Sequence, residues 1–170
     1  MSTVLRAAGP DDAALIAAFV QELAEFEKLS HEAVATAADF AAALSGPVPR
    51  VFAEIAEFDG EAAGFTLWFH TFSTFTGRPG IYLEDLYVRP AFRRRGIARA
   101  LLGRLAQRCV AEELGRLEWA VLKWNAPAIA FYESLGAMAM DGWTVYRTDG
   151  QALKRLGSQV ERAGDEDEGR

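Results

Sequence analysis

The chain has 170 residues, 51% of them hydrophobic, with a net charge of -6, two histidines and one cysteine. One cysteine excludes a disulfide framework, and so few soft ligands leave nothing to build a structural zinc site, so no metal is expected. The acidic balance argues against general binding to nucleic acid or to an anionic membrane and is compatible with a small cationic substrate.

No run approaches the ~18 consecutive apolar residues of a membrane span, and residues 1–10 lack the apolar core of a secretory leader, so a soluble, cytoplasmic protein is expected. The length suits one domain with one core, placed over residues 1–156. Residues 157–170, GSQVERAGDEDEGR, are polar and acidic and read as a disordered tail.

In chain order, residues 3–6 read as a first strand and Gly9-Pro10-Asp11-Asp12 as a turn leading to a helix N-cap. Leu15, Ile16, Phe19, Val20, Leu23 and Phe26 then recur at helical spacing, to an end near Lys28. Glu25 and Glu27 close that helix; a solvated face is the ordinary reading of either. Residues 33–44, anchored by Phe40 and Leu44, predict a second short helix. Residues 51–58 and 62–69 predict strands joined by the hairpin signal Asp59-Gly60, and with residues 81–88 they make an antiparallel meander. Residues 71–80, with Ser73, Thr74, Gly77 and Pro79, read as a loop.

Residues 81–102 carry the strongest signal. Residues 81–88 are rich in β-branched and aromatic side chains, and Arg89-Pro90 stops the strand because proline offers no amide to a ladder. Ile97, Leu101, Leu102, Leu105 and Cys109 then follow helical spacing, in a helix expected to reach about Leu114. Between them lies Arg93-Arg94-Arg95-Gly96-Ile97-Ala98. A glycine there allows a tight turn in which successive N–H groups and the positive end of the helix converge on an anion. The spacing R-x-x-G-x-A is neither G-x-G-x-x-G nor G-x-x-x-x-G-K-[ST]. A solvated basic turn and a nucleic-acid patch are the competing readings of the three arginines, and the second would need a basic domain. Glu84 and Asp85 are adjacent, so an ordinary strand would point them to opposite faces. They are either a functional pair of carboxylates or an edge charge beside a single site.

Further on, residues 116–122 predict a strand, Pro127 sits early in a helix that reaches Leu135 and stops at Gly136, and residues 143–148 predict a final strand. Phe131 and Tyr132 alone would be core aromatics. Cys109 lies on the apolar stripe as a small hydrophobe, and His31 and His70 have no triad partners.

The strand, the R-x-x-G-x-A turn and the helix, followed by Trp124-Asn125-Ala126-Pro127 and by residues 130–137, AFYESLGA, resemble the acetyl-CoA-dependent N-acetyltransferases of the GNAT superfamily. Within it, residues 22–29 (ELAEFEKL), residues 82–88 (YLEDLYV) and Gly142-Trp143 resemble the diamine acetyltransferase branch, which includes spermidine/spermine and thialysine acetyltransferases. The resemblance runs over residues 4–156. It implies an α/β (α+β) GNAT fold: a mixed, mostly antiparallel sheet with a splayed strand pair, flanked by helices.

It also implies the chemistry. Acetyl-CoA is the expected co-substrate, held by Arg93, Arg94, Arg95, Gly96, Ile97 and Ala98 at its pyrophosphate, by the main chain of Leu86, Tyr87 and Val88 along its arm, and by Asn125, Phe131 and Tyr132. Glu84 is the expected base, through a water, and Tyr132 the acid that protonates the leaving thiolate. Glu27, Glu84, Asp85, Asp141 and Trp143 are the expected contacts to a cationic amine: thialysine, a lysine-like amino acid, or a diamine or polyamine. Where the branch has acidic contacts from residues 71–80, this chain has Thr74, Phe75 and Thr76, a departure that weighs against spermidine and spermine. A homodimer is implied as well. The alternatives are a protein lysine or N-terminus as acceptor, and a non-catalytic CoA-binding regulatory module.

Overall fold

Alternating apolar residues from Phe52 to Val88 build the centre of a five-stranded sheet whose strands lie side by side in chain order. They are β1 (Thr3–Ala7), β2 (Phe52–Phe58), β3 (Glu61–Ser73), β4 (Arg78–Val88) and β5 (Leu117–Trp119). The structure is a computed structural model that describes residues 2–165, with side chains to residue 158. β1 to β4 pair antiparallel, and β5 joins β4 in parallel. The chain divides into two compact units, Met1–Leu122 and Lys123–Arg170, within the span that composition reads as one domain.

In the first unit, helices α1 (Ala13–Glu27) and α2 (Ala37–Leu44) cover one face of the sheet. Ile16, Phe19 and Leu44 pack there on Ala53, Ile55, Phe65, Leu67 and Tyr87. Phe19 and Phe65 stack with centroids 5.1 Å apart. Each such fully buried side chain contributes about 1.5–3 kcal/mol relative to an exposed one. Helix α3 (Ile97–Ala111) covers the other face, where Ile97 and Leu101 meet Ala56 and Ala63, with Leu86 and Val88 at the margin.

Local chemistry sets several boundaries. Asp59 (φ 49°) and Gly60 (φ 85°) form the two-residue turn between β2 and β3, the paired positive φ that matches strand twist. α2 begins at residue 37 rather than 33, because Thr36 caps it: its hydroxyl accepts from the Asp39 amide, and the Asp39 carboxylate returns a bond to the Thr36 amide. After a 3-10 turn at Pro10–Asp12, Asp12 stands at the N-cap of α1, and its carboxylate accepts from Arg6 Nη2 and Nη1 at 2.8 and 2.9 Å and from the Gly9 amide at 3.0 Å. α3 ends at Ala111, short of Leu114, and Glu113 takes a positive φ of 54°.

Three other expectations are corrected. Residues 71–80 are not a loop: β3 and β4 run on to the pair Ser73 and Arg78, leaving four residues as the turn. Backbone pairing outweighs the small polar composition there, and Phe75 ends up exposed at the tip. The strand at residues 116–122 shortens to Leu117–Trp119, which pairs with Ile81, Tyr82 and Leu83 of β4. Residues 143–148 form no strand; they find no ladder partner among the described residues.

The second unit holds α4 (Ala126–Glu133) and α5 (Gly150–Asp165). α5 continues through most of the stretch read as a disordered tail. Leu153, Leu156 and Val160 recur there at i, i+3 and i+7 among strong helix formers. Residues 166–170 of that expected tail lie outside the described residues.

Gly64 marks the tightest crossing of the sheet. A Cβ on it would lie 2.5 Å from the Tyr87 carbonyl oxygen and 3.2 Å from Val88 Cα. Gly64→Ala should therefore push the end of β4 away from β3 and cost about 1–3 kcal/mol. Urea unfolding of the variant beside the parent, with an unchanged m-value, checks this; a shift under a few tenths of a kcal/mol contradicts it.

Candidate active site

The site begins with one extra residue. Leu83 faces Trp68 across β3–β4 and Asp85 faces Leu67, so Glu84 has no partner and forms a bulge. A bulge reverses the side-chain alternation beyond it. Asp85 and Tyr87 therefore follow Leu67 and Phe65 toward α1, and Leu86 and Val88 turn toward α3. On the other edge of β4, pairing with β5 covers only Ile81, Tyr82 and Leu83. From Glu84 to Val88 that edge has no ladder partner among the described residues, so its main-chain donors and acceptors are not used by the sheet.

Glu84 is exposed, and Asp85 is half-buried. Burial first, then the charges of Glu84 and Glu27, push the Asp85 carboxyl up to about 7. Glu27, in the last turn of α1, is itself raised by burial. Lys28 closes that helix in a left-handed conformation (φ 62°). Tyr82 is raised by burial and by the carboxylates of Glu84 and Glu118. Glu27, Glu84 and Asp85 thus make one acidic group inside the first unit.

A second network fixes α1 to the end of β4. Arg89 grips Glu22 with Nη2 at 2.7 Å and Nε at 3.0 Å, and its Nη1 donates to the Ala62 carbonyl at 2.8 Å. The guanidinium lies 4.6 Å over the Phe19 ring. Arg93 donates to the Val88 carbonyl at 3.0 Å and sits 4.8 Å over Phe26. Burial, with Glu22 beside it, raises the Tyr87 phenol. Sequence reading missed Glu22 and Arg89. Glu22 lies on the helix stretch that resembles the diamine branch, and Arg89 read only as a strand stop.

The turn after β4 has two residues in the left-handed region, Arg94 (φ 61°) and Gly96 (φ 78°). Gly96 precedes α3, whose first internal bond runs from the Ala100 amide to the Gly96 carbonyl at 2.9 Å. The amides of Ile97, Ala98 and Arg99 are thereby free of intrahelical acceptors. With the alternating conformation before them they form a concave row of donors suited to phosphate oxygens. A Cβ at Gly96 meets nothing within 4 Å, so its positive φ, not crowding, calls for glycine. Arg95 stacks 4.7 Å over Phe58.

The remaining expected residues belong to the second unit. Asn125 caps α4, its side-chain oxygen accepting from the Ala128 amide at 3.3 Å, and Pro127 occupies the first turn. Phe131 and Tyr132 lie side by side on α4, ring centroids 5.5 Å apart, and both are half-buried. Asp141 and Trp143 are exposed in the irregular stretch after α4.

Comparison with known proteins decides the family. The profile of the acetyltransferase (GNAT) family matches residues 16–137, most of the chain. The chain belongs to the acetyltransferase (GNAT) family. The match contains every expected site residue except Asp141 and Trp143. A thialysine N-epsilon-acetyltransferase of Caenorhabditis elegans is 37% identical over 153 residues, covering 88% of this chain and 94% of the relative. An L-ornithine N5-acetyltransferase of Arabidopsis thaliana is 29% identical, covering 92% of this chain and 88% of its own length. Among solved structures, an integron cassette protein from the mobile metagenome of V. cholerae superposes with a TM-score of 0.76 at 25% identity, covering 92% of this chain and 98% of that one. The chain is an N-acetyltransferase, and within its family it falls in the diamine and thialysine branch. Among the described residues no helix is long and apolar enough to cross a membrane.

The Asp85 carboxyl supplies a pH test. Its proton is held more tightly in the folded than in the unfolded chain. Its contribution to stability is thus complete below the ordinary aspartate pKa of ~3.9 and is lost as pH rises through about 7. Asp85→Asn should gain melting temperature relative to the parent as pH rises across that window. A difference between the two proteins that stays flat with pH would show the carboxyl to be unperturbed.

Proposed function

We propose that this enzyme moves an acetyl group from acetyl-CoA to a primary amine of a small cationic molecule, a lysine-like or ornithine-like amino acid or a diamine. The observation that carries this is the half-buried Asp85, set beside Glu84 and Glu27 by the bulge, where β4 stops pairing with β5. Relatives named for thialysine and L-ornithine acetylation support an amino acid bearing a side-chain amine.

Bound acetyl-CoA would supply an acetyl group already activated as a thioester. The amides of Ile97 and Ala98, with Arg93, Arg94, Arg95 and Gly96, would hold its pyrophosphate; the unpaired donor row before α3 fits that charge. The unpaired edge at Leu86, Tyr87 and Val88 offers main-chain partners to the amides of the cofactor arm, and Asn125, Phe131 and Tyr132 are assigned to the cofactor by family resemblance. A main-chain N–H aimed at the reacting carbonyl oxygen supplies roughly 2.7–4 kcal/mol in comparable acyl transfers.

An alkyl ammonium, pKa ~10.4, must lose a proton before it can attack. A base is most effective when its pKa lies near the working pH, and the environment of Asp85 supports that role better than the exposed Glu84. We therefore assign the base to Asp85, directly or through a water. Glu84 and Glu27 then hold the ammonium, which exchanges the roles that resemblance gave to Glu84 and Asp85. Tyr132 Oη carries the proton for the departing sulfur. Asp141 and Trp143 are assigned to the outer part of the amine.

We further propose a cytoplasmic homodimer. Met138, Met140, Trp143, Val145 and Tyr146 are all exposed in one short stretch, which supports a surface that a second copy would cover.

The test is release of CoA from acetyl-CoA against thialysine, lysine, ornithine, spermidine, putrescine and peptides. An amino acid or diamine should be strongly preferred. Tyr132→Phe and Asp85→Asn should each lower kcat by about 10²–10⁴-fold with acetyl-CoA binding kept. In the parent, kcat/KM should rise with pH through about 7 as Asp85 ionises. Preference for a peptide, or full activity in both variants, refutes the assignment. Gly96→Ala should raise the KM for acetyl-CoA more than Arg94→Ala does and leave the amine KM unchanged; equal effects would mean that side-chain charge, not the amide row, holds the cofactor.

A further inference from the structure

The side of the sheet that carries Asp85 continues across β3, β4 and β5 with side chains that the chemistry above does not use. Tyr82 stands opposite Phe69 on β3 and opposite Glu118 on β5, so all three point to one side. Asp85 pairs with Leu67, two residues from Phe69 on the same strand, and shares that side. The rings of Phe69 and Tyr82 lie with centroids 5.4 Å apart. Burial, then the charges of Glu84 and Glu118, raise the Tyr82 phenol, so both carboxylates stand near it. Two residues before Glu118 is Arg116, whose Nε lies 2.7 Å from Glu118 Oε2. These two side chains are 45% and 38% exposed, so a solute can reach both.

Arg116 is held at its base. Its carbonyl accepts from the Ile81 amide at 3.0 Å, and its stem crosses Gly80, where a Cβ would lie 3.0 Å from Arg116 Cγ. A side chain at position 80 would push that stem away. Nε is the nitrogen nearest Glu118, and a guanidinium has five N–H donors, so its Nη pair has donors to spare. An ion pair this exposed contributes little to stability. Its place matters more, because it stands at the far end of the side on which Asp85, Glu84 and Tyr82 follow one another.

Glu118 is level with Tyr82, three residues from Asp85; at 3.2–3.4 Å per residue that is about 10 Å along β4, before the bulge shortens it. The Cα-to-Nζ reach of an extended lysine, five bonds of ~1.5 Å, is about 6–7 Å, and a hydrogen bond at its end covers the rest. A second amine alone would satisfy Glu118 but set its charge against Arg116. An α-amino acid satisfies both, its ammonium on Glu118 and its carboxylate on Arg116. We propose that Arg116 and Glu118 form a head-group subsite that selects an α-amino acid with a side-chain amine over a diamine or polyamine. This rests on the acceptor reading above and narrows it. The terminal amine meets Asp85, the methylenes cross Tyr82 and Phe69, and the α-nitrogen stays an ammonium. The transfer step is unchanged: the C–N bond forms at the terminal nitrogen as the C–S bond breaks, and the amine's proton passes to Asp85.

Two matched pairs test it by release of CoA: lysine beside cadaverine, and ornithine beside putrescine, each diamine being the amino acid without its carboxylate. The parent should prefer the amino acid at least about tenfold in kcat/KM, the scale of one charge-assisted hydrogen bond. Arg116→Ala should raise the KM for lysine by a similar factor, keep kcat and leave cadaverine no worse, so that the preference disappears. Arg116→Lys should recover part of the loss. Glu118→Gln should raise the KM for lysine and leave that for Nα-acetyllysine, which has no α-ammonium, unchanged. Equal acetylation of the two members of each pair, or an Arg116→Ala loss that is the same for both, overturns the subsite while the acceptor reading stands. Turnover of none of the four overturns the acceptor reading, and calorimetric titration of the CoA-bound protein with lysine then decides the subsite. Binding that Arg116→Ala weakens at least about tenfold supports it; binding indifferent to Arg116, or no saturable binding, overturns it.

Discussion

The single unpaired residue in β4 is the constraint from which the rest of the first unit's chemistry follows. Without the bulge at Glu84, residues 81, 83, 85 and 87 would share one face, and Asp85 would lie with Ile81 and Leu83 on the side that α3 covers. With it, Asp85 and Tyr87 turn to the α1 side while Leu86 and Val88 pack beneath α3. The same residue marks the end of pairing with β5. One insertion thus buries a carboxylate beside another acid and frees a stretch of main chain next to it, and the strand needs no other irregularity to serve two reactants.

That arrangement holds only if α1 stays where its last turn meets Asp85, and the grip of Arg89 on Glu22 ensures it. The pair is part-exposed, so its Coulomb attraction alone is modest. Its strength comes from geometry: the carboxylate takes Nε and Nη2 together, Nη1 reaches Ala62 on β3, and Phe19 backs the guanidinium. α1, β3 and β4 meet in one side chain. Arg93 extends the tie by bonding Val88 and covering Phe26, so the anion-facing turn and the acid-bearing helix end are parts of one packed assembly.

Much of this is legible in the sequence where local chemistry and global fold agree. The meander, the Asp59-Gly60 turn, the stop at Arg89-Pro90 and the start of α3 after Gly96 are each dictated by a few neighbouring residues. The bulge is not, because Glu84 and Asp85 read equally well in a regular strand; only the register against Leu67 and Trp68 distinguishes them. The same holds for the polar composition at residues 71–80, which a long hairpin overrides, and for residues 143–148, whose strand-like side chains have nothing to pair with.

The net charge of -6 obscures a division that matters more than its sum. Glu27, Glu84 and Asp85 gather on the side of β4 where a cationic amine would be held, while Arg93, Arg94 and Arg95 lie at the turn where an anionic cofactor would be held. Two of those arginines are committed to rings, Arg93 to Phe26 and Arg95 to Phe58. Their planes brace the turn, and the amides at the start of α3 are left as its unpaired donors. The basic run is therefore more scaffold than ligand. The three side chains remain exposed, and two of them lie over aromatic rings of different elements, Phe26 on α1 and Phe58 on β2, so that the turn is braced from both sides.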